Sequence, residues 1–254
     1  MTFVSPTWIE VPPKPREIRR TQILDKGLGA RQIQDLLDTA GYLIDLAKLG
    51  WGTALVTRGL PEKIDMYRAA DVEVCLGGTL LELFAYRKEV DQFEAYVKEL
   101  GLTHVEVSDG TIQLPLPEKL ALIEHFAGNY TVYSEVGQKD PEVVVTPAKW
   151  VAAIRAELDA GASKVILEGR ESATAGLYRT SGEIRAGLID EILDAGISPD
   201  SLVFEAPTKN SQTWFIKHIG ANTNFANVPP EEVIALETLR VGLRADTLLN
   251  IHGQ

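Results

Sequence analysis

Short apolar runs alternate along the chain with longer stretches in which apolar residues recur every three or four positions. The first pattern is that of buried parallel strands and the second that of helices packed against them. The runs are TQIL from Thr21, LIDLAKL from Leu43, VEVCL from Val72 and HVEV from His104. YTVYSEV from Tyr130, KVILE from Lys164, SLVFE from Ser201 and NTNFANV from Asn222 follow. Each is followed by a helical stretch, so the spacing predicts eight βα units and a parallel sheet. One long helix is expected from Leu80 to Leu100, because its apolar spacing continues without Gly or Pro. Pro61, Pro117, Pro147 and Pro230 stand where helices open, and Gly41, Gly101, Gly161, Gly196 and Gly220 where they close. Eight such units in a chain of 254 residues predict a single (β/α)8 TIM barrel over 21–254. An open doubly wound sheet would share the periodicity and is the alternative. Residues 1–20 hold four of the thirteen prolines and no periodicity, and are expected to form an extended N-terminal arm.

Composition narrows the function. The formal net charge is −11 with a sequence pI near 4.9, opposite to what a nucleic-acid-binding surface requires. No apolar run approaches a membrane span and the N-terminus lacks an apolar signal core, so a cytoplasmic protein is expected. The lone cysteine, Cys75, excludes an internal disulfide, and its apolar neighbours predict a buried strand thiol. The four histidines are scattered and form no ligand spacing. Neither a GxGxxG fingerprint, a GxxxxGK[ST] loop nor a GxSxG elbow occurs.

In a barrel the active site is built at the C-terminal ends of the strands. Here every predicted strand end carries polar residues: Asp25 and Lys26, Lys48, Gly77-Gly78-Thr79, Glu106 with Ser108 and Asp109, and Glu135 with Lys139. Glu168 with Arg170 and Glu171, Glu205 with Lys209, and Asn224 with Asn227 complete the set. The loops at the opposite face carry no comparable concentration. Glutamates on four successive strands would be buried and would need cations, either Lys and Arg or a hard metal ion. Asp25, Glu106, Glu135, Glu168 and Glu205 are therefore candidate metal ligands, with Mg²⁺ the expected ion, although a closed Glu–Lys/Arg network would also satisfy the spacing. Lys26, Ser108, Arg170, Lys209 and Asn224 are candidate substrate-binding residues. Lys48 and Glu171 are candidate catalytic groups. Such a cavity suits a small anion bearing phosphate and carboxylate, and the loops after the seventh and eighth strands are the expected phosphate site.

Several of these segments resemble the phosphosulfolactate synthase family: LDKGL at 24–28, DLAKLGWGT at 45–53, GGTLLE at 77–82 and VEVSDG at 105–110. SEVGQKD at 134–140, AGASKVILEGRES at 160–172, FEAPTK at 204–209 and LETLRVGLRADT at 236–247 continue the resemblance in order. The resemblance implies a (β/α)8 fold and Mg²⁺-dependent addition of sulfite to phosphoenolpyruvate, giving (2R)-2-O-phospho-3-sulfolactate, a carbon–sulfur lyase type of activity. It also implies a homo-oligomer, with a trimer expected, and places the family's active-site lysine at Lys139. Gln138-Lys139 stands where the family usually has two lysines, and the eighth strand is more polar than usual. Two other readings stay open: a related barrel enzyme adding a different nucleophile to phosphoenolpyruvate, and a non-catalytic, stress-associated or scaffold relative.

Overall fold

The computed structural model describes residues 9–112, 114–137, 145–170 and 172–253. Eight strands alternate with helices. The first half runs β1 (Thr21–Asp25), α1 (Ala30–Ala40), β2 (Leu46–Leu49), α2 (Leu60–Ala69), β3 (Glu73–Leu76), α3 (Gly78–Tyr86), α4 (Val90–Glu99) and β4 (His104–Val107). The second half runs α5 (Leu116–Ala127), β5 (Thr131–Val136), α6 (Pro147–Asp159), β6 (Lys164–Leu167), α7 (Ala186–Asp194), β7 (Leu202–Glu205), α8 (Lys209–His218), β8 (Phe225–Val228), α9 (Val233–Arg240) and α10 (Leu248–His252). All strand ladders are parallel and join the strands in the order β3-β2-β1-β8-β7-β6-β5-β4. β3 and β4 lie side by side and complete the ring without a ladder between them among the described residues. This is the expected (β/α)8 barrel, nearly closed.

The period-two alternation of the strands explains where the polar groups go. One face of each strand packs on the helices, as with Ala47, Leu49, Val74, Val105, Val107, Val132, Val165, Leu167 and Phe204. The other face fills the barrel with a separate cluster: Leu46, Cys75, Tyr133, Ile166, Val203 and Ala226. Two residues further along the same inward face, Leu46 gives way to Lys48, Tyr133 to Glu135, Ile166 to Glu168 and Val203 to Glu205. The barrel is thus plugged with apolar side chains below and becomes charged above. Cys75 is buried, and burial among these residues pushes its thiol above the ordinary range.

Two expectations are corrected. The helix expected over Leu80–Leu100 is two helices, α3 and α4, separated at Arg87-Lys88-Glu89, where Lys88 has φ 61. Apolar contacts continue across the break through the Phe84–Phe93 ring pair, so the spacing concealed it. The opposite face is also not bare of charge: Arg16, Asp45, Lys164 and Arg240 are buried there. Residues 9–20 contain no helix or strand and are fastened beneath the barrel through Arg16 and Lys14, which sequence periodicity could not indicate. Among the described residues no helix is long and apolar enough to cross a membrane.

Candidate active site

At the C-terminal ends of the strands lies a cavity of about 360 Å³. Its charged lining comes from five strand ends: Lys48 from β2, Glu106 from β4, Glu135 from β5, Glu168 after β6, and Glu205 from β7. Leu24 of β1, Gly77-Gly78-Thr79 after β3, and Asn227 of β8 complete the ring, with Trp51, Thr111, Arg170 and Ser172 at the rim. The four glutamates and Lys48 are all buried.

Lys48 is the centre of this group. Its ammonium lies 3.0 Å from Glu106 Oε2 and 3.7 Å from Glu205 Oε1. Burial disfavours its charge, but Glu106, Glu205 and Glu135 outweigh that and hold the ammonium above its ordinary range. Glu205 is shifted the other way for a carboxylate: burial raises it, and only in part does Lys48 oppose this. Backbone amides fix the acids in place. Gly78 N–H donates to Glu106 Oε1 at 2.9 Å, Gly169 N–H to Glu205 Oε2 at 2.8 Å and Arg170 N–H to Glu168 Oε1 at 2.6 Å. Gly78 is required by the close approach, because a Cβ there would collide with Ser108 Oγ and sit 2.9 Å from Glu106 Oε1.

Three side chains of the lining stand on left-handed backbone: Trp51 (φ 51), Arg170 (φ 56) and Asn227 (φ 55). For a bulky residue such as Trp this conformation is a true outlier, of the kind that clusters at functional sites. Trp51, 45% exposed, forms one wall of the mouth.

The other sequence-selected residues lie apart from the cavity. Asp25 is buried, but its Oδ1 accepts Gly27 and Leu28 N–H, and its Oδ2 accepts the Tyr67 hydroxyl and pairs with Lys63 at 2.7 Å. Ser108 donates to Glu82 Oε1 at 2.7 Å and sits just behind the lining. Lys26 is exposed. Lys209 pairs with Asp246 at 2.8 Å. Asn224 precedes β8 and so occupies the opposite end of the barrel, where its amide donates to the carbonyls of Leu202 and Asp200. The expected phosphate loop after β7 contributes nothing to the lining, and Thr208 instead caps α8 by accepting Ser211 N–H. Lys139 and Glu171 lie outside the described residues.

Sequence reasoning passed over Thr111, Ser172 and Glu82. Buried Glu82 of α3 accepts the Ser108 hydroxyl and the N–H groups of Thr111 and Ile112, and so shapes the loop after β4. The only signal was an acid placed on an otherwise apolar helix, in GGTLLE. None of the histidines lines the cavity; His125 and His218 pair with Glu94 and Asp190 on the surface.

The donor set is all oxygen and carries more negative than positive charge, with four carboxylates against Lys48 and Arg170 among the described lining residues. That chemistry fits a hard divalent cation. Among the described residues, no three His, Cys, Asp or Glu side chains are grouped to hold a metal by themselves. Mg²⁺ does not require such a cage, since it binds through one or two carboxylates and keeps water or substrate oxygens for the rest.

Residues 10–246 match the family model described as (2R)-phospho-3-sulfolactate synthase (ComA). The phosphosulfolactate synthase of Bacillus subtilis is 41% identical over 236 residues, spanning 92% of this chain and 94% of that protein. That of Methanothermobacter thermautotrophicus is 42% identical over 245 residues, spanning 94% and 95%. That of Methanocaldococcus jannaschii is 40% identical over 234 residues, spanning 89% and 92%. Among solved structures, 3-hexulose-6-phosphate synthase from Salmonella typhimurium superposes with a TM-score of 0.56 at 14% identity, covering 92% of this chain and 100% of that one. A Streptococcus mutans KGPDC structure gives 0.53 at 12% identity, covering 87% and 96%. At such identities the likeness is one of fold alone.

Proposed function

The chain belongs to the (2R)-phospho-3-sulfolactate synthase family, and on that premise we propose that it adds sulfite to phosphoenolpyruvate, with Mg²⁺ bound, to give (2R)-2-O-phospho-3-sulfolactate. The single observation that carries this reading is the charge balance of the cavity. Phosphoenolpyruvate is a polyanion, and a cavity with surplus carboxylates would repel it unless a cation came between them. Glu135 and Glu168 are the residues proposed to hold that cation, since Glu106, like Glu205, has both oxygens engaged. Bound Mg²⁺ supplies a Lewis acid for the charge that develops on the substrate carboxylate.

The reaction is an addition with no leaving group. The sulfur lone pair of sulfite forms the C3–S bond, the C2=C3 pair moves to C2 and into the carboxylate, and C2 then takes a proton. Lys48 pairs with Glu106 and Glu205 inside the ring and is not the donor proposed here. Its role is to offer a fixed positive charge, without reorganisation, to an anionic oxygen. Arg170 at the rim can grip a phosphate or carboxylate oxygen pair through its planar fork. The proton donor proposed is Lys139, which follows β5 and its inward-facing Glu135 in the sequence. Trp51 and Leu24 supply the apolar part of the enclosure.

The test follows phosphoenolpyruvate and sulfite by ³¹P NMR with purified protein and Mg²⁺. A new phosphate ester resonance that requires sulfite and disappears with chelator is expected. No reaction with sulfite, or an unchanged rate in EDTA, would overturn the substrate or the metal respectively.

A further inference from the structure

Asn227, the penultimate residue of β8, lies in the left-handed region, which asparagine accepts more readily than most residues. It is 7% exposed and faces the cavity. Its Nδ2 donates to Glu205 Oε1. That contact fixes the amide, because a carboxylate oxygen beside Lys48 and a second oxygen accepting Gly169 N–H make Glu205 an acceptor on both sides. Asn227 Oδ1 must then point the other way. It is buried and has no hydrogen-bond partner among the described residues.

A lone carbonyl oxygen here is matched to few ligands. Ionised phosphoenolpyruvate and sulfite present only acceptor oxygens, which would repel it. A divalent cation would not, since amide carbonyls are ordinary ligands of hard ions. A neutral ligand also adds no further negative charge to a cavity that must admit anions. Glu205, by contrast, has both oxygens engaged.

The geometry points to Asn227 as a ligand of the divalent cation, contributing Oδ1 beside the strand-end carboxylates, while Glu205 is committed to holding the amide. This rests on the metal reading given above and deepens it. It departs from the sequence expectation, which chose Asn224 and counted Glu205 among the ligands.

The test is Mn²⁺ binding to the full chain without substrate, by calorimetry. Asn227→Gly keeps the left-handed backbone without strain and removes the ligand. It should weaken Mn²⁺ binding at least ~10-fold, the scale seen when metal-site partners are removed. Asn227→Asp keeps an oxygen and should bind Mn²⁺ at least as tightly as the native protein, while raising KM for phosphoenolpyruvate through its added charge. Native-like Mn²⁺ binding by Asn227→Gly would overturn the assignment and leave the metal reading standing. Loss of binding in Asn227→Asp would also overturn it. Absence of Mn²⁺ binding in the native protein would overturn both.

Discussion

The two mouths of the barrel treat their lysines in opposite ways. At the C-terminal mouth Lys48 is surrounded by carboxylates and is held above its ordinary range. At the N-terminal mouth Lys14 rests on the carbonyls of Ala70 and Asp71, and Lys164 on those of Glu17 and Asp200. Burial pushes both of these below the ordinary range, and the nearby carboxylates only partly offset it. The arginines there are similarly bound. Arg16 grips Asp45 through two contacts of 2.9 Å, and Arg240 donates to Thr21 Oγ1 and to the Arg20 and Thr223 carbonyls, its pKa pushed down by burial to about 10.

Size does not separate the two ends. The N-terminal cavity, lined by Lys14, Arg16 and Arg20 among others, is about 720 Å³, twice the volume of the other. What separates them is the balance of charge. Below, cations are tied to backbone carbonyls and to Asp45, and Lys14 and Arg16 fasten the N-terminal arm under the barrel. Above, carboxylates are in surplus, the imbalance that the proposed cation would offset.

Substitutions at the two mouths should therefore fail differently. The largest effect is expected from Lys139→Ala: loss of a general acid should lower kcat by ~10²–10⁴-fold with little change in Tm. A kcat near the native value would remove it from the proton transfer. Arg16→Leu at the other mouth strands Asp45 in the interior and should cost about 3–5 kcal/mol of stability. In a domain of this size that lowers Tm by roughly 6–20 °C, while turnover per folded molecule stays native; altered kinetics in the folded fraction would show that the mouths are coupled. Arg170→Ala should raise KM for phosphoenolpyruvate by roughly 10–100-fold, the scale of one charged hydrogen bond, with kcat nearly unchanged. A fall in Tm instead would make Arg170 a structural residue.

The smallest effect concerns pH. Lys14 and Lys164 have folded pKa values below their unfolded ones, so in the window just under 10.5 the unfolded chain binds more protons. Their contribution to stability should therefore rise with pH through that window. Denaturant titrations between pH 8 and 10.5 on Lys14→Met and Lys164→Met should show a flatter dependence than the native protein, and an identical slope would contradict the difference drawn between the mouths.

The barrel was legible because strand and helix periods differ and because the inward face of each strand changes from apolar to charged at its end. The Leu46/Lys48 and Val203/Glu205 pairs carry that change in the sequence itself. What was not legible depends on partners distant in sequence. Asp25 reads like a strand-end ligand until Lys63 and Tyr67 of α2 are seen to saturate it. Asn224 and Asn227 are three residues apart, and a strand of only four residues, Phe225–Val228, sends one to each end of the barrel. The break between α3 and α4 carries no Gly or Pro, only Lys88 in a left-handed turn. Charges beneath the barrel were missed because those of the arm, Lys14 and Arg16, come from outside the βα repeat.

The central claim is that the surplus carboxylates at the C-terminal mouth make anion binding depend on a divalent cation. Calorimetric titration of phosphoenolpyruvate into the native protein, with Mg²⁺ and again in EDTA, tests it without relying on turnover. The account predicts binding with Mg²⁺ and a loss of at least ~10-fold in affinity without it, in line with the several kcal/mol that a metal's charge can contribute. Equal affinity in both would contradict it, and would mean that Lys48, Arg170 and their neighbours neutralise the cavity on their own.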